Sequence, residues 1–123
     1  MQNNDSAKEL MRIIQEIVPG KQITMAHIIA SPDEIIYKKL GLDPKIDYKK
    51  SAIGIITISP SEATVIASDV ALKSAGIEIG FIDRFSGTFI FTGNVSDVSI
   101  GLESILNYFK DTMGFSICQL TQS

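Results

Sequence analysis

The stretch IGFIDRFSGTFIF, residues Ile79 to Phe91, decides the fold. Two runs rich in Ile and Phe flank a short polar segment, DRFSG, at positions 83–87. Apolar runs separated by a few residues that include glycine are typical of a β-hairpin. Gly87 can adopt the positive φ that a tight turn needs. The pattern predicts strands at 77–83 and 88–92, joined by a tip that carries two charges and an aromatic ring.

Helices and strands alternate on both sides of this hairpin. Residues 52–58 read as a buried strand, and Ser59-Pro60-Ser61-Glu62 reads as a helix start for a helix that ends near Ala75. Asn94 is placed to cap a second helix, which Gly114 ends, and Phe115 to Thr121 reads as a last strand. The order β-α-β-β-α-β over residues 51–121 predicts an α+β, ferredoxin-like α/β sandwich with an antiparallel sheet and both helices on one face.

Each of these helices has a stripe of residues with helical spacing. The stripe of the second helix is large and apolar: Val98, Leu102, Ile105 and Phe109. The stripe of the first helix is small: Ala63, Ala67, Ala71 and Ala75. A stripe of this kind either lies against the sheet or admits close approach of another subunit, and packing against the sheet is the simpler interpretation.

The first fifty residues add further elements. Residues 1–11 are polar and predict a flexible terminus, and residues 12–19 alternate apolar and polar side chains like a short strand. Residues 22–30 read as an Ile-rich strand. A helix then follows from Ser31, as N-cap, to about Leu40. Residues 42–50 form a polar connector.

The composition of the chain limits the classes of function that it can have. A chain of 123 residues is one domain, and a monomer in which 45% of residues are hydrophobic would have difficulty burying them all, which favours an oligomer. A net charge of −3 gives no footprint for nucleic acid. The single cysteine fits a reducing cytosol, and the absence of a long apolar run argues against a membrane protein.

No set of residues indicates catalysis or metal binding. His27, the only histidine, lies in an apolar strand and reads as a packed, hydrogen-bonded structural residue. Cys118 reads as a small buried hydrophobe, and Gly76 to Gly80 lacks the residues of a phosphate loop. Asp83 and Arg84 at the hairpin tip read as a local surface ion pair. We therefore predict no cofactor and no enzymatic activity.

Four segments together resemble a known family. They are VPGKQITMAHIIA at 18–30, AIGI at 52–55, SEA at 61–63 and GFIDRFSG at 80–87. They are similar to the circularly permuted BMC-domain shell proteins of bacterial microcompartments, of the ethanolamine- and propanediol-utilisation type. The resemblance runs from about Arg12 to Thr121, so it identifies residues 12–123 as one permuted domain.

The resemblance implies a structural protein of a shell in the cytoplasm, which forms cyclic homohexamers with a central pore. It places Arg84, Phe85, Ser86 and Gly87 at the pore. It also implies that residues 12–19, with Ile13, Gln15, Ile17 and Val18, pair with their copies in a small β-barrel that caps the pore. In such a ring each Arg84 needs a carboxylate, and Asp83 is the nearest.

The resemblance also suggests partners. Lys73 matches the lysine with which unpermuted shell proteins meet at hexamer edges, whereas the position of their edge arginine is Ser31 here. Other shell proteins and encapsulated enzymes are the expected partners, without nucleic acid or membrane. The main alternative is a ferredoxin-like oligomeric regulatory domain that binds a metabolite between subunits; a small enzyme is the weakest hypothesis.

Overall fold

The computed structural model describes residues 20–42 and 51–123. The strands in these ranges are β1 Gln22–Ile29, β2 Ala52–Ser59, β3 Glu78–Asp83, β4 Thr88–Gly93 and β5 Thr121–Gln122. The helices are α1 Glu34–Lys39, α2 Ala63–Ser74 and α3 Val95–Asp111. The predicted α+β class is confirmed. Within the two described ranges, no helix is both long enough and apolar enough to cross a membrane.

One five-stranded sheet orders its strands β3-β4-β2-β1-β5. The predicted hairpin is confirmed, because β3 and β4 pair antiparallel from Glu78 opposite Thr92 to Asp83 opposite Thr88. Strand β2 pairs antiparallel with both β4 and β1. The Ile- and Phe-rich strands thus occupy the middle of the sheet, where both of their faces can be covered.

The prediction of a last strand at 115–121 is wrong over most of its length. Only Thr121–Gln122 forms a strand, parallel to β1, and Ser116 makes an isolated bridge to Gln22. Strand β1, not this segment, is the second neighbour of β2. The reason is local pattern: Ile117 and Cys118 are adjacent and both pack against the core, which breaks the two-residue period of a strand. We call residues 116–123 the C-terminal strap.

Helices α2 and α3 cover one face of the sheet, as predicted, and the main core lies beneath them. Its largest fully buried side chains include Phe89, Phe91, Leu102, Ile105 and Phe109. Burial of each such side chain stabilises the fold by roughly 1.5–3 kcal/mol. The alanine stripe of α2 faces this core, since Ala63, Ala67 and Ala71 are buried. The packing interpretation of that stripe is therefore confirmed.

Helix α1 lies on the opposite face. Its Tyr37 packs with Leu42, Ile53 and Ile90. Ile53 and Ile90 alternate along β2 and β4 with residues of the main core. The Tyr37 hydroxyl donates to the carbonyl of Ser51 at 2.5 Å. This second cluster covers part of the face that the α2–α3 layer leaves open.

The helix ends differ in how well the sequence predicts them. Asn94 caps α3 as predicted, with Oδ1 accepting from Asp97 N at 2.7 Å. The cap of α1 is Asp33, whose Oδ1 accepts from Ile35 N, and not Ser31. Glu62 precedes α2 without a side-chain capping bond. Several polar residues in a row leave the capping position open, because each can begin the same turn.

Candidate functional site

The hairpin tip, residues 84–87, is shaped by hydrogen bonds to Asp83. Its Oδ1 accepts from the backbone N–H groups of Phe85 at 2.9 Å and Ser86 at 3.2 Å, and its carbonyl accepts from Gly87 N at 2.9 Å. A carboxylate that bonds the backbone two and three residues ahead fixes the turn locally. The strands β3 and β4 therefore carry a tip with a defined backbone.

Gly87 attaches the tip to the end of β2. Its carbonyl accepts from Ile58 N at 2.8 Å, and its φ is +82°. A Cβ atom at this position would lie 2.2 Å from the carbonyl oxygen of Ile58. Only glycine therefore fits both the backbone conformation and the space, which confirms the prediction of a positive-φ turn residue here.

The predicted ion pair between Asp83 and Arg84 is wrong. Within residues 20–42 and 51–123, the structure pairs Arg84 with no carboxylate; its guanidinium carbon lies 5.1 Å from the centroid of the Phe85 ring. Asp83 instead directs its oxygen at the turn N–H groups. The turn bonds satisfy the carboxylate, and the arginine stacks on its other neighbour.

Electrostatics agree with this geometry. Hydrogen bonding from the Ser86 side chain, and then from the N–H groups of Phe85 and Ser86, lowers the pKa of Asp83 below its ordinary value. These donors favour the charged carboxylate. Asp83 is thus a structural anion of the turn, and Arg84 is left as the exposed cation of the tip.

The tip also presents an exposed aromatic ring. Phe85 is 82% exposed, whereas Gly87 beside it is buried. The hydroxyl oxygens of Ser86 and Thr88 lie 3.2 Å apart, within hydrogen-bond distance. The structure therefore brings Arg84, Phe85, Ser86 and Gly87 together on one turn, as their sequence adjacency requires.

Lys73 lies in the last turn of α2, with its amine 2.8 Å from Asp69 Oδ2. Both side chains are largely exposed, and the hydrogen bond and charge of Asp69 raise the pKa of Lys73. Asp69 was not among the predicted site residues, although its position four residues before a lysine on a helix is a signal for such a pair.

His27 and Cys118 lie in the described part of the chain, whereas the proposed barrel residues do not. His27 makes the expected hydrogen bonds, between Nδ1 and Thr121 Oγ1 at 2.6 Å and between Nε2 and Ser123 Oγ at 2.8 Å. Burial raises the pKa of the Cys118 thiol. The proposed barrel residues Ile13, Gln15, Ile17 and Val18 lie outside the described residues, as do the rest of segment 1–19 and positions 43–50.

The described residues were also compared for metal-binding geometry. Across 20–42 and 51–123, no three His, Cys, Asp or Glu side chains lie close enough together to hold a metal ion. The surface of the described residues exposes large apolar side chains. The composition predicted such exposure but not which residues would carry it. The exposed large apolar side chains are Met25, Ile35, Val65, Ile66, Leu72, Ile79, Ile82, Phe85, Val95, Ile100 and Tyr108.

Comparison with known proteins gives consistent matches. A family model described as the BMC domain matches residues 52–119. The bacterial microcompartment shell protein CutR of Streptococcus intermedius is 50% identical over 91% of this chain and 92% of its own length. The shell protein PduU of Salmonella typhimurium is 49% identical over 91% of this chain and 93% of its own.

A solved structure agrees with these sequences. The structure titled "CutR flat hexamer, form 1" superposes with a TM-score of 0.79 at 47% identity, and the match covers 86% of this chain and 94% of that one. The agreement extends well beyond the segment matched by the BMC model.

Proposed function

The chain belongs to the BMC-domain family of bacterial microcompartment shell proteins, and we propose from this that it forms the cyclic homohexamers of such a shell. It is a structural protein located in the shell within the cytoplasm and not an enzyme. The observation that carries the hexamer is the match to a flat hexameric structure at 47% identity and a TM-score of 0.79.

Exposed apolar side chains support self-association. Ile79 and Ile82 lie on β3, the open edge of the sheet, and each is more than one third exposed. Val65 and Leu72 on α2 are about half exposed. Surfaces of this kind, spread over an edge strand and a helix, are typical of chains that bury them against further copies.

We place the hairpin tip at the hexamer axis, where Arg84, Phe85, Ser86 and Gly87 line the pore. The family resemblance supports this position, and so does the construction of the tip. Asp83 and Gly87 hold its backbone by hydrogen bonds within the turn and to β2, so six copies can meet in one geometry. The hexamer would thus form part of the shell wall and control the passage of small molecules through it.

Two further roles complete the proposal. Residues 12–19, which include Ile13, Gln15, Ile17 and Val18, would cap the pore as a β-barrel of six short strands, since closure removes their free edges. Lys73 would contact the neighbouring hexamer. Other shell proteins and encapsulated enzymes are the partners that this arrangement implies.

Light scattering after gel filtration tests the hexamer. We expect a mass about six times the 13.4 kDa of the chain at every concentration. A monomer or dimer that persists at high concentration would contradict the proposal. It would bring back the regulatory-domain alternative, which the similarity to shell proteins does not favour.

Deletion of residues 1–18 tests the cap separately. We expect the truncated chain to keep its hexameric mass, with an axial opening in class averages from electron microscopy that the full chain lacks. Loss of hexamers would show that this segment holds the ring together, and an unchanged axis would show that it does not cover the pore.

A further inference from the structure

Helices α2 and α3 lie side by side and run in opposite directions. A Cβ atom at Gly101 would lie 3.8 Å from the Cβ atom of Ala71. A Cβ atom at Gly76 would lie 3.4 Å from a carboxylate oxygen of Asp97, so the end of α2 is next to the start of α3. Two helices packed in this way leave a groove along their outer side, which we call the α2–α3 groove.

Tyr108 marks the side of α3 that faces α2. The hydrogen bond and charge of Asp69 raise the pKa of Lys73, and the charge of ionised Tyr108 adds to this rise. Such an effect requires that Tyr108 lie near the end of the Lys73 side chain. Lys73 and Tyr108 therefore both border the groove, one from each helix.

Apolar side chains lie along the groove on both helices. Ile66 and Val70 precede Lys73 by seven and three residues, so they lie on the same side of α2. Ile100 precedes Tyr108 by eight residues, which is about 12 Å along α3. Ile66, Ile100 and Tyr108 are each more than one third exposed, and Val70 is partly buried. The groove thus exposes apolar side chains over a length of about two helical turns.

The helix layer, formed by α2, α3 and the residue before α2, also carries the net charge of the described residues. It has five carboxylates and two lysines: Glu62, Asp69, Asp97, Glu103 and Asp111 against Lys73 and Lys110. The other charged residues of 20–42 and 51–123 balance, with four acids and four bases: Asp33, Glu34, Glu78 and Asp83 against Lys21, Lys38, Lys39 and Arg84. An excess of three negative charges therefore lies on the same layer as the groove, where it attracts a cationic partner.

We propose that the α2–α3 groove binds a basic amphipathic helix of a partner protein. A helix seated in a groove contributes apolar side chains at i, i+3, i+4 and i+7. These span two turns, which matches the separation of Ile100 and Tyr108 along α3. The lysine or arginine side chains of the partner helix would face the carboxylates of the helix layer.

The groove is distinct from the surface assigned above to self-association. Val65 and Leu72 lie about 100° or more around α2 from Ile66 and Val70, on the other flank of the helix. Ile82 belongs to β3, at the open edge of the sheet. One chain makes the whole groove, so this inference goes beyond the proposed hexamer and does not require it.

A synthetic helix serves as the probe. It is a fluorescein-labelled peptide of about 18 Leu and Lys residues, with Leu at the spacing that gives one apolar face. One matched peptide has Glu in place of every Lys, and a second keeps the composition but scrambles the order. Fluorescence anisotropy with the full chain measures binding. We expect the Leu–Lys helix to bind at least about tenfold more tightly than either matched peptide, and more weakly as salt is raised.

Five variants locate the peptide on the protein. Ile66→Ser and Tyr108→Ser remove apolar contacts in the groove, and we expect each to weaken binding at least about fivefold. Glu103→Gln removes one carboxylate of the helix layer and should weaken binding about twofold. Ile35→Ser on α1 and Ile82→Ser on β3 are controls, because both side chains are exposed outside the groove, and binding should change by less than about twofold. Melting curves by circular dichroism check that every variant is folded.

The outcomes separate this inference from the proposed function. Equal affinity for the Lys and Glu peptides overturns the groove, as does unchanged affinity in folded Ile66→Ser and Tyr108→Ser. A larger loss in Ile82→Ser than in Tyr108→Ser also overturns it, because the peptide would then occupy the self-association surface. Light scattering on the same samples reports the hexamer separately, so a chain that is not hexameric removes the proposed function and leaves the anisotropy result for the groove unchanged.

Discussion

Single residues at the hairpin tip act mainly through the backbone. Asp83 bonds two N–H groups of its own turn, and Gly87 leaves space for the carbonyl of Ile58. The charged and aromatic side chains at 84 and 85 are then free to meet a ligand or further copies. Structural and functional duties are thus divided between adjacent positions.

Two glycines with similar backbone conformations allow a matched comparison. Gly41 has φ +69° and no heavy atom within 4 Å of the place that a Cβ would take, whereas Gly87 has φ +82° and an oxygen 2.2 Å from that place. We expect Gly41→Ala to cost about 1–2 kcal/mol of unfolding free energy, the usual cost of a left-handed alanine. Gly87→Ala should cost about 3 kcal/mol or more, because strain adds to that cost. Urea denaturation of both variants measures the difference, and equal losses would show that the tip shifts freely away from β2.

Acid should weaken the tip through Asp83. Its pKa is lowered in the folded chain, so its contribution to stability is fully present above the unfolded value of 3.8 and is lost as pH falls through the lower folded value. We expect Asp83→Ala to be less stable than the wild type at pH 7, and the difference to shrink below about pH 4. Denaturation at several pH values tests this, and a difference independent of pH would assign the effect to something other than the carboxylate charge.

The sequence predicted the turn glycine but not the partner of Arg84. A glycine between two apolar runs indicates a turn that needs a positive φ. This requirement is the same in any fold that contains the hairpin. Neighbouring opposite charges, by contrast, suggest a pair only if their side chains point the same way. That direction depends on the geometry of the turn, which the identities of the two residues do not determine.

At the scale of elements, the outer edge of β1 is closed by a strap and not by a long strand. The backbone bonds sit at its two ends: Ile23 N to Ser116 O at 2.8 Å, and Ala30 N to Ser123 O at 2.9 Å. His27 adds two side-chain bonds between them. Two more backbone bonds, from Ser116 N to Lys21 O and from Ser123 N to Ile28 O, complete these ends, and the histidine links the strap to the middle of β1.

His27→Ala should loosen the strap without disturbing the rest of the sheet. Each lost hydrogen bond contributes about 0.5–1.5 kcal/mol, so we expect amide exchange at 116–123 to become about tenfold faster. Thr24→Ala is the control, because Thr24 lies on the same strand and bonds to Thr57 Oγ1 at 2.7 Å, away from the strap. Hydrogen exchange measured by mass spectrometry compares them, and equal exchange in the two variants would contradict a role for His27.

Element boundaries were predictable where one segment alone sets them. The α3 stripe and the Asn94 cap need only local spacing, and both are confirmed. The last strand was not, because Ile117 and Cys118 both pack against the core and β1 takes the place beside β2. Strand β1 buries Ile23, Ala26 and Ile28 on the helix-covered face, and this tertiary advantage is invisible to local pattern.

At the scale of the whole molecule, exposed apolar area points to assembly, but its location comes only from the fold. A hydrophobic content of 45% predicted excess apolar surface. Which residues carry it depends on which sheet edge stays open and which helix face the core leaves uncovered. Ile82 on β3 and Leu72 on α2 could equally have been core residues by sequence alone.

Lys73→Ala should weaken association between hexamers while leaving each hexamer intact. The amine is exposed and lies at the end of α2, where an approaching neighbour can receive it. Electron microscopy of concentrated samples should show fewer extended sheets or tubes, with an unchanged hexamer mass by light scattering. Asp69→Ala serves as the control. If both variants lose assembly equally, the internal ion pair matters and not a contact of Lys73 with a neighbouring hexamer.

The position of β1 in the sheet sets an order of events during synthesis. This strand leaves the ribosome before every other described strand, yet its neighbours β2 and β5 lie about 30 and 94 residues further along. Until then its Ile-rich edges lack these two partners, and an unpaired strand edge is where nascent chains associate wrongly. The outer edge of β1 therefore gains its partners in residues 116–123 after the other described strands have been made.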